Sequence, residues 1–311
     1  MVRRALSLLP LVVLLGCSST GGPDGGDQVG VDGGTRNDGV GDGGALDLTR
    51  APDCPVEAAW LVELRGSVVD EEGAAVADAK VQTCVRTDTA QLLCLQPATT
   101  DEDGAFRVVV PENARCMVRA TSRVILPLTD NATVYCPVVL PASEATLAVD
   151  VPYVLLSTTP ATTLPPLGDA SAERTVVFAD GLEVSVVPEG IFAEDYAELA
   201  ARRLAPDEVP DCVLRDAPDF EALYAFSPEG DIFGAGFDAR IPNGTGLLPG
   251  TEVELYAQGG LHCELADDSV IEEGVWQQFG TGSVSGDGAV IEMTGGEALP
   301  CFNWLAYRAA P

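Results

Sequence analysis

The sequence predicts a mainly β protein in which two β-sandwich domains are joined by a short linker. Three observations lead to this prediction. Short runs of alternating or β-branched residues recur between turn residues through most of the chain. A Pro- and Thr-rich segment divides these runs into two groups. Nine cysteines accompany a hydrophobic fraction of 46%, which is enough apolar material for two cores.

The first 16 residues have the pattern of an export signal. Arg3 and Arg4 precede an apolar run that is too short to span a bilayer, and L-L-G-C follows at 14–17. This arrangement resembles the signal and lipobox of bacterial lipoproteins. The resemblance implies removal of residues 1–16, lipidation of Cys17 (palmitate included), and attachment to the outer membrane or cell surface. An ordinary secretory signal, with a cysteine at this position by chance, is the alternative.

Residues 17–53 are predicted to form a disordered tether. The stretch GGPDGGDQVGVDGGTRNDGVGDGG is rich in glycine and aspartate, and it lacks the apolar side chains that would offset the entropy of ordering. Its Asp-Gly pairs are also found in calcium sites, but the D-x-D-x-D-G loop with a distal glutamate is absent. We therefore expect a spacer that lifts the folded part from the membrane.

The first domain is expected over residues 54–157. Runs such as LVELRGSVVD, AKVQTCV, FRVVVP and TVYCPVVL are separated by turn residues, as in a seven-stranded sandwich. Asp-x-x-Gly turns are expected at 70–73 and 101–104, because aspartate bonds the backbone two residues on and glycine tolerates positive φ. Phe106 should then return to the core.

These two turns carry a resemblance to a known family. The segment G-S-V-V-D-E-E-G at 66–73, with Val76, Ala79 and Val81 after it, and T-D-E-D-G-A-F at 100–106 are similar to motifs of carboxypeptidase regulatory-like domains. The resemblance implies a small transthyretin-like sandwich with an accessory or adhesive role. The many cysteines of this segment depart from the family pattern and suggest additional cross-linking.

Residues 158–173 are predicted to be an extended linker, because Pro165-Pro166 stiffens a Thr/Pro/Ala-rich segment. A second β-rich domain, residues 174–311, should follow. It is expected to contain the only helix, from about Ala193 to Leu204, because apolar residues fall at helical spacing there.

Parts of the second domain resemble interaction modules. The segments I-P-N at 241–243, L-P-G-T at 248–251 and S-V-S-G-D-G at 283–288 are similar to C-terminal modules of bacterial surface proteins. V-P-E-G-I at 187–191 is similar to a strand turn in the sandwich that ankyrins share with netrin receptors. These resemblances imply an interaction module and not an enzyme.

The cysteines that remain besides Cys17 are predicted to form disulfides, since an even number is typical of exported proteins. They are Cys54, Cys84, Cys94, Cys116, Cys136, Cys212, Cys263 and Cys301. Five precede the linker and three follow it, so complete pairing requires at least one bond across the linker.

Among the possible pairings, we expect Cys54–Cys212 to cross the linker and Cys263–Cys301 to close the second domain. The four cysteines from Cys84 to Cys136 should then pair among themselves. A zinc site is disfavoured because the chain has no C-x-x-C pair and a single histidine.

The sequence offers few candidates for catalysis. His262 is the only histidine, and no G-x-S-x-G motif accompanies it. The adjacent acids Asp267-Asp268 and Glu272-Glu273 are typical of solvated turns in so acidic a chain. Trp276 and Trp304 lie in apolar strand contexts and should pack in the core. We therefore expect no enzyme activity and no cofactor.

The net charge of −31 excludes nucleic acid as a partner, because such a surface repels phosphates. Asp101, Glu102, Asp103 and Asp287 lie in Gly-bearing turns and are candidates for weak calcium binding, although ordinary turn chemistry also explains them. The sequence predicts a non-enzymatic, lipid-anchored surface protein with an adhesive, protein-binding or envelope-structural role and a protein or polysaccharide partner. The alternatives are a carbohydrate-binding module and a hydrolase in the second domain.

Overall fold

A computed structural model describes residues 46–125, 130–159, 162, 164–166, 168–191, 198–234, 236–260, 263–296 and 298–311. Over these residues the protein is mainly β, as the sequence predicts, and its sheets include a curled half-barrel of the β-sandwich class. Within the same residues, no helix is long and apolar enough to cross a membrane. Cys17, the predicted tether up to residue 45, and His262 lie outside the described residues.

Twelve strands precede residue 158, and we call this part the first half. They are β1 (Ala59–Trp60), β2 (Glu63–Val69), β3 (Lys80–Thr87), β4 (Leu92–Cys94), β5 (Ala98–Thr99), β6 (Ala105–Val109), β7 (Cys116–Ile125), β8 (Asn131–Ala132), β9 (Val134–Pro137), β10 (Thr146–Ala148), β11 (Tyr153–Val154) and β12 (Leu156–Ser157). One sheet has the order β1-β7-β3-β4, with β5 on β3 and β9 on β7. The other has the order β10-β2-β11, with β6 on β2, and β8 pairs with β12.

The two Asp-x-x-Gly turns form as the sequence predicts. Oδ1 of Asp70 accepts the backbone N–H groups of residues 72 and 74, and Oδ1 of Asp101 accepts those of residues 103 and 105. Gly73 and Gly104 take φ of 81° and 73°, a region that L side chains rarely adopt. Phe106 then returns to the core and stacks on the ring of Tyr153, 5.6 Å away.

Nine strands follow residue 173, and we call this part the second half. They are β13 (Arg174–Val177), β14 (Glu183–Val186), β15 (Ala200–Leu204), β16 (Ala222–Asp231), β17 (Ala239–Pro242), β18 (Glu252–Gln258), β19 (Trp276–Val284), β20 (Val290–Gly296) and β21 (Cys301–Ala309). They form one sheet in the order β13-β14-β17-β20-β19-β18-β21-β16-β15. Three short 3₁₀ turns complete the described elements: Glu112–Ala114, Pro188–Gly190 and Pro206–Glu208.

The prediction of a helix from Ala193 to Leu204 is wrong over its second part. Ala200–Leu204 is strand β15, which pairs antiparallel with β16 from Ala200 opposite Ser227 to Leu204 opposite Leu223. Leu199 and Ala200, two of the residues at helical spacing, are thus buried against a sheet and not by one face of a helix. Residues 193–197 of that prediction lie outside the described part.

The described residues from Leu46 onward belong to one unit, because the two halves share a core. Trp304, Tyr256 and Phe220 of the second half lie in the same hydrophobic cluster as Leu64 and Val85 of the first. The buried residues of a second cluster all belong to the second half. Near the start of the described part, Arg50 donates to the carbonyl of Ala58 at 2.8 Å. The predicted boundaries at 54–157, 158–173 and 174–311 remain predictions.

All eight predicted disulfide cysteines are paired, in four bonds. The bonds are Cys54–Cys116, Cys84–Cys94, Cys136–Cys212 and Cys263–Cys301. The expected Cys263–Cys301 pair is confirmed, and so is the expectation that a bond crosses the linker.

The crossing bond is Cys136–Cys212, so the expectation of Cys54–Cys212 is wrong. Register explains the difference, because Trp60 of β1 pairs with Cys116 of β7 and brings the nearby Cys54 to that cysteine. The four cysteines from Cys84 to Cys136 consequently do not pair only among themselves.

Candidate functional site

The two halves meet along a seam, which we define by strands β3, β7 and β9 of the first half and segments 212–217 and 270–276 of the second. Cys136–Cys212 crosses it covalently. Nε1 of Trp304 donates to the carbonyl of Thr133 at 2.9 Å, and Nη1 of Arg215 donates to the carbonyl of Pro137 at 2.6 Å. The seam is thus fixed by apolar, polar and covalent contacts.

Opposite charges face each other across one side of the seam. Arg86 and Arg119 of the first half bind the two carboxylate oxygens of Glu272 at 2.9 and 2.5 Å. Arg119 also donates to the carbonyl of Glu273 at 3.3 Å. Because all three side chains are a third to a half exposed, each pair contributes about 1 kcal/mol or less.

A second polar network lies deeper in the seam. Arg123 donates to the side-chain oxygen of Gln82 at 2.9 Å and to the hydroxyl of Tyr135 at 3.4 Å, and that hydroxyl donates to Glu229 of the second half. Burial of the ring, reinforced by the Glu229 carboxylate, raises the pKa of Tyr135 well above its ordinary value. The hydroxyl therefore remains protonated and keeps donating to Glu229.

A cavity of about 260 Å³ lies beside the ion pairs of Arg86 and Arg119 with Glu272. Both halves line it: Cys84, Arg86, Leu92, Arg119, Thr121, Gly260, Val270, Ile271, Glu272 and Glu273. A carboxylate oxygen of Glu273 lies within 4.8 Å of the sulfur atoms of Cys84 and Cys94. Those sulfurs are bonded to each other, so this group is a disulfide beside a carboxylate and does not form a metal site in this state.

A larger groove, of about 530 Å³, lies on the other side of Arg119. We call it the seam groove. Its lining residues are Val118, Arg119, Ala120, Pro137, Val138, Val139, Leu140, Arg215, Asp216, Gly274, Val275 and Trp276. Val118 and Val139 are 50% and 65% exposed, so the groove has an apolar rim with guanidinium groups on its walls.

The aromatic wall of the seam groove is held in place from behind. The half-buried ring of Trp276 packs against Phe220 at 4.8 Å and Trp304 at 6.5 Å, measured between ring centroids. Its Nε1 donates to the carbonyl of Val213 at 2.8 Å. Trp304 is fully buried, which confirms its predicted place in the core, whereas Trp276 is both a core residue and a wall of the groove.

The predicted acidic sites divide into two kinds. Asp267 forms a local exposed turn, as predicted, by accepting the N–H of Ser269, and Asp287 likewise accepts the N–H of Ala289. Glu272-Glu273 is different, because it faces the arginines of the first half and is not a free solvated turn. For the calcium candidates, the bonds of Asp101 and Asp287 to their own turns are the ordinary turn chemistry described above.

Four residues of the seam were not expected from the sequence: Arg119, Arg123, Tyr135 and Glu229. A usable signal was present, because Arg119 and Arg123 are four residues apart and therefore lie on one face of β7. In a chain with only 17 basic residues, two arginines on one strand face indicate an acidic partner surface. That this surface belongs to the same chain could not be inferred without the fold.

Comparison with known protein families finds no matching family, and comparison with curated proteins finds no relative. The features that bear on function are therefore the geometry of the seam and the export pattern of residues 1–17.

Proposed function

We propose that this chain is a non-enzymatic, lipid-anchored protein of the bacterial cell surface that binds a partner in the seam groove. The observation that carries the proposal is the groove itself. It combines exposed aliphatic side chains, one rigidly backed tryptophan and two arginines on a strongly acidic protein. An apolar depression with a few polar groups is typical of binding surfaces.

The complete pairing of the eight described cysteines supports an exported location, because disulfides persist in oxidising compartments. Together with the lipobox-like L-L-G-C at 14–17, it supports a lipid anchor on Cys17 at the outer membrane or cell surface.

The anchor is tested by Cys17→Ala, with Ser18→Ala as the matched control. We expect the cysteine variant to lose its fatty-acid label and its membrane association, while the serine variant keeps both. A label that persists in Cys17→Ala would contradict the lipoprotein assignment.

We also propose that the first half is a carboxypeptidase regulatory-like domain with an accessory role. The two Asp-x-x-Gly turns and the buried Phe106 support this assignment, because the motif residues make the contacts that the motif requires. Such a domain would serve here as the platform that supplies one wall of the seam groove.

The groove is tested with Val139→Asp, because Val139 is 65% exposed and its replacement leaves the core intact. Val151→Asp is the matched control, since Val151 is equally exposed and lies away from the groove. Full-length chains carrying Cys17→Ser are mixed with isolated cell envelopes and sedimented. We expect Val139→Asp to lower the bound fraction by about tenfold and Val151→Asp to leave it unchanged. Equal binding of the two variants would overturn the groove assignment.

A carbohydrate-binding role is the second candidate, and Trp276 in the groove wall favours it, because sugar rings pack on indole faces. The same sedimentation experiment separates the two. If protease treatment of the envelopes abolishes binding, the partner is a protein, and if binding survives, the partner is a polysaccharide.

A further inference from the structure

The hairpin of β3 and β4 forms one wall of the 260 Å³ cavity, and its second strand lies at the edge of the sheet. β4 has three residues and lies at the sheet edge, where β3 is its only strand partner among the described elements. Leu92 of β4 lines the cavity and is 53% exposed. Because β4 pairs at only three positions, few backbone hydrogen bonds hold it to the sheet.

The turn of this hairpin carries local strain. Ala90 has a φ of 65°, and its N–H donates to the carbonyl of Thr87. A residue with a Cβ is disfavoured in this left-handed region. The hairpin therefore closes against a local cost, and the bond between Cys84 and Cys94, which lie directly opposite each other, opposes its opening.

The Cys84–Cys94 bond is also the most accessible of the four. Cys94 is exposed, whereas each of the other six bridged cysteines is buried or half-buried. In particular, Cys136 of the crossing bond is 1% exposed. Thiol–disulfide exchange requires a thiolate to reach a sulfur atom, so we expect the most accessible bond to be reduced fastest.

We infer that Cys84–Cys94 is the redox-sensitive bond of this protein, and that a dithiol reductant opens the cavity wall through it while the other three bonds preserve the fold. One thiolate of the dithiol attacks Sγ of Cys94, the exposed cysteine of the pair, and Sγ of Cys84 leaves and takes a proton. The second thiol of the reductant then attacks the mixed disulfide and releases Cys94. Two electrons and two protons pass from the dithiol, which becomes a disulfide, to the two cysteines.

Opening this wall affects one side of the seam. Arg86, which binds Glu272 across the seam, is on β3 directly opposite Leu92 of β4. Loss of the bond frees β4 and the turn that connects it to β3, so the cavity loses the wall that Leu92 provides. The crossing bond and the shared core keep the halves together. A thiol–disulfide oxidoreductase is therefore the class of partner that would recognise this site.

The rate ordering is tested on the full-length chain carrying Cys17→Ser. The folded protein is exposed to dithiothreitol for increasing times, quenched with iodoacetamide, and the alkylated cysteines are identified by mass spectrometry. We expect Cys84 and Cys94 to be alkylated at least about tenfold faster than the other six. If any other bond is reduced as fast or faster, the inference is overturned.

Opening of the wall is tested by amide hydrogen exchange after selective reduction. Exchange of residues 88–95 should rise by about tenfold, while β18 and β21 remain protected. The variant Cys84→Ser with Cys94→Ser should reproduce this pattern. If this variant does not fold, the reduced wild-type chain decides the question. Unchanged exchange at 88–95 in that chain would show that the bond does not hold the wall.

Discussion

The hydroxyl of Tyr135 lies between Arg123 of its own sheet and Glu229 of the other half. It is the only hydroxyl in the described seam network, and its removal would leave a buried guanidinium and a carboxylate without their shared partner. Such a loss is strongly destabilising at a buried site, because water cannot replace the missing hydrogen bonds.

We predict that Tyr135→Phe lowers the free energy of unfolding by about 1–3 kcal/mol. Tyr256→Phe is the control, because Tyr256 donates to Glu254 within the second half and Arg308 still binds that carboxylate in the variant, so the loss should be less than about 1 kcal/mol. Urea unfolding followed by tryptophan fluorescence measures both. Equal losses would mean that the Tyr135 network contributes nothing specific to the seam.

Glu63 carries a pH dependence whose sign follows from its surroundings. Burial raises the pKa of Glu63, but hydrogen bonds and charges from Arg107 and Arg65 outweigh this effect and hold the pKa below its ordinary value of 4.5. A folded-state pKa below the unfolded value means that the stabilisation is complete above the unfolded pKa. It is lost as the pH falls through the folded pKa.

We predict that Glu63→Gln has a lower free energy of unfolding than wild type at about pH 7, and that this difference in stability shrinks toward about pH 3. Urea midpoints measured across this range test it. Glu112→Gln, at an exposed carboxylate in a 3₁₀ turn, should follow the wild-type curve throughout. A difference that stays constant with pH would exclude the ion pairs as its cause.

At the scale of single elements, the sequence correctly predicts turns whose conformation depends only on nearby residues. The turns at 70–73 and 101–104 need only aspartate and glycine at fixed offsets, and both form. The strand β15 could not be recognised in this way, because its spacing fits a helix and only its partner β16 makes it a strand. Tertiary pairing overrides local propensity in such a segment.

In the candidate site, too, some features could be predicted from the sequence and others depend on tertiary pairing. The eight cysteines and the burial of Trp304 could be predicted from composition and context. The seam could not be predicted, because it joins β7 to segment 270–276 across more than a hundred residues. Nothing in the sequence around Glu272 identifies Arg119 as its partner.

The β3–β4 hairpin provides a prediction at this scale. Ala90→Gly should stabilise the protein by about 1 kcal/mol, because glycine removes the cost of the positive φ at this turn. Ala105→Gly on the extended strand β6 should do the opposite, since glycine there only adds entropy to the unfolded chain. Thermal unfolding of both variants measures the signs. Destabilisation by Ala90→Gly would contradict the assignment of strain to this turn.

For the whole molecule, the crossing bond and the shared core both oppose separation of the halves. Cys136–Cys212 is the only one of the four bonds that joins cysteines on opposite sides of the linker segment 158–173. Its partners are separated by 76 residues, and closing a loop of that size stabilises a protein by about 4 kcal/mol in the chain-entropy model. The core contacts of Trp304, by contrast, are non-covalent and do not require that bond.

These two contributions are separated by cutting the linker. A protease site placed after Gly168 should yield two fragments that migrate together in a denaturing gel without reductant and apart with it. The variant Cys136→Ser with Cys212→Ser should give separate fragments in that gel even without reductant. Its cut chain should nevertheless remain one species in native gel filtration, because the halves bury a common core.

Cys263→Ser with Cys301→Ser is the control, since that bond lies within the second half and its loss should leave the fragments linked. Wild-type fragments that separate in denaturant without reductant would contradict the crossing bond. Variant fragments that separate under native conditions would show that the halves are independent domains held together by that bond alone.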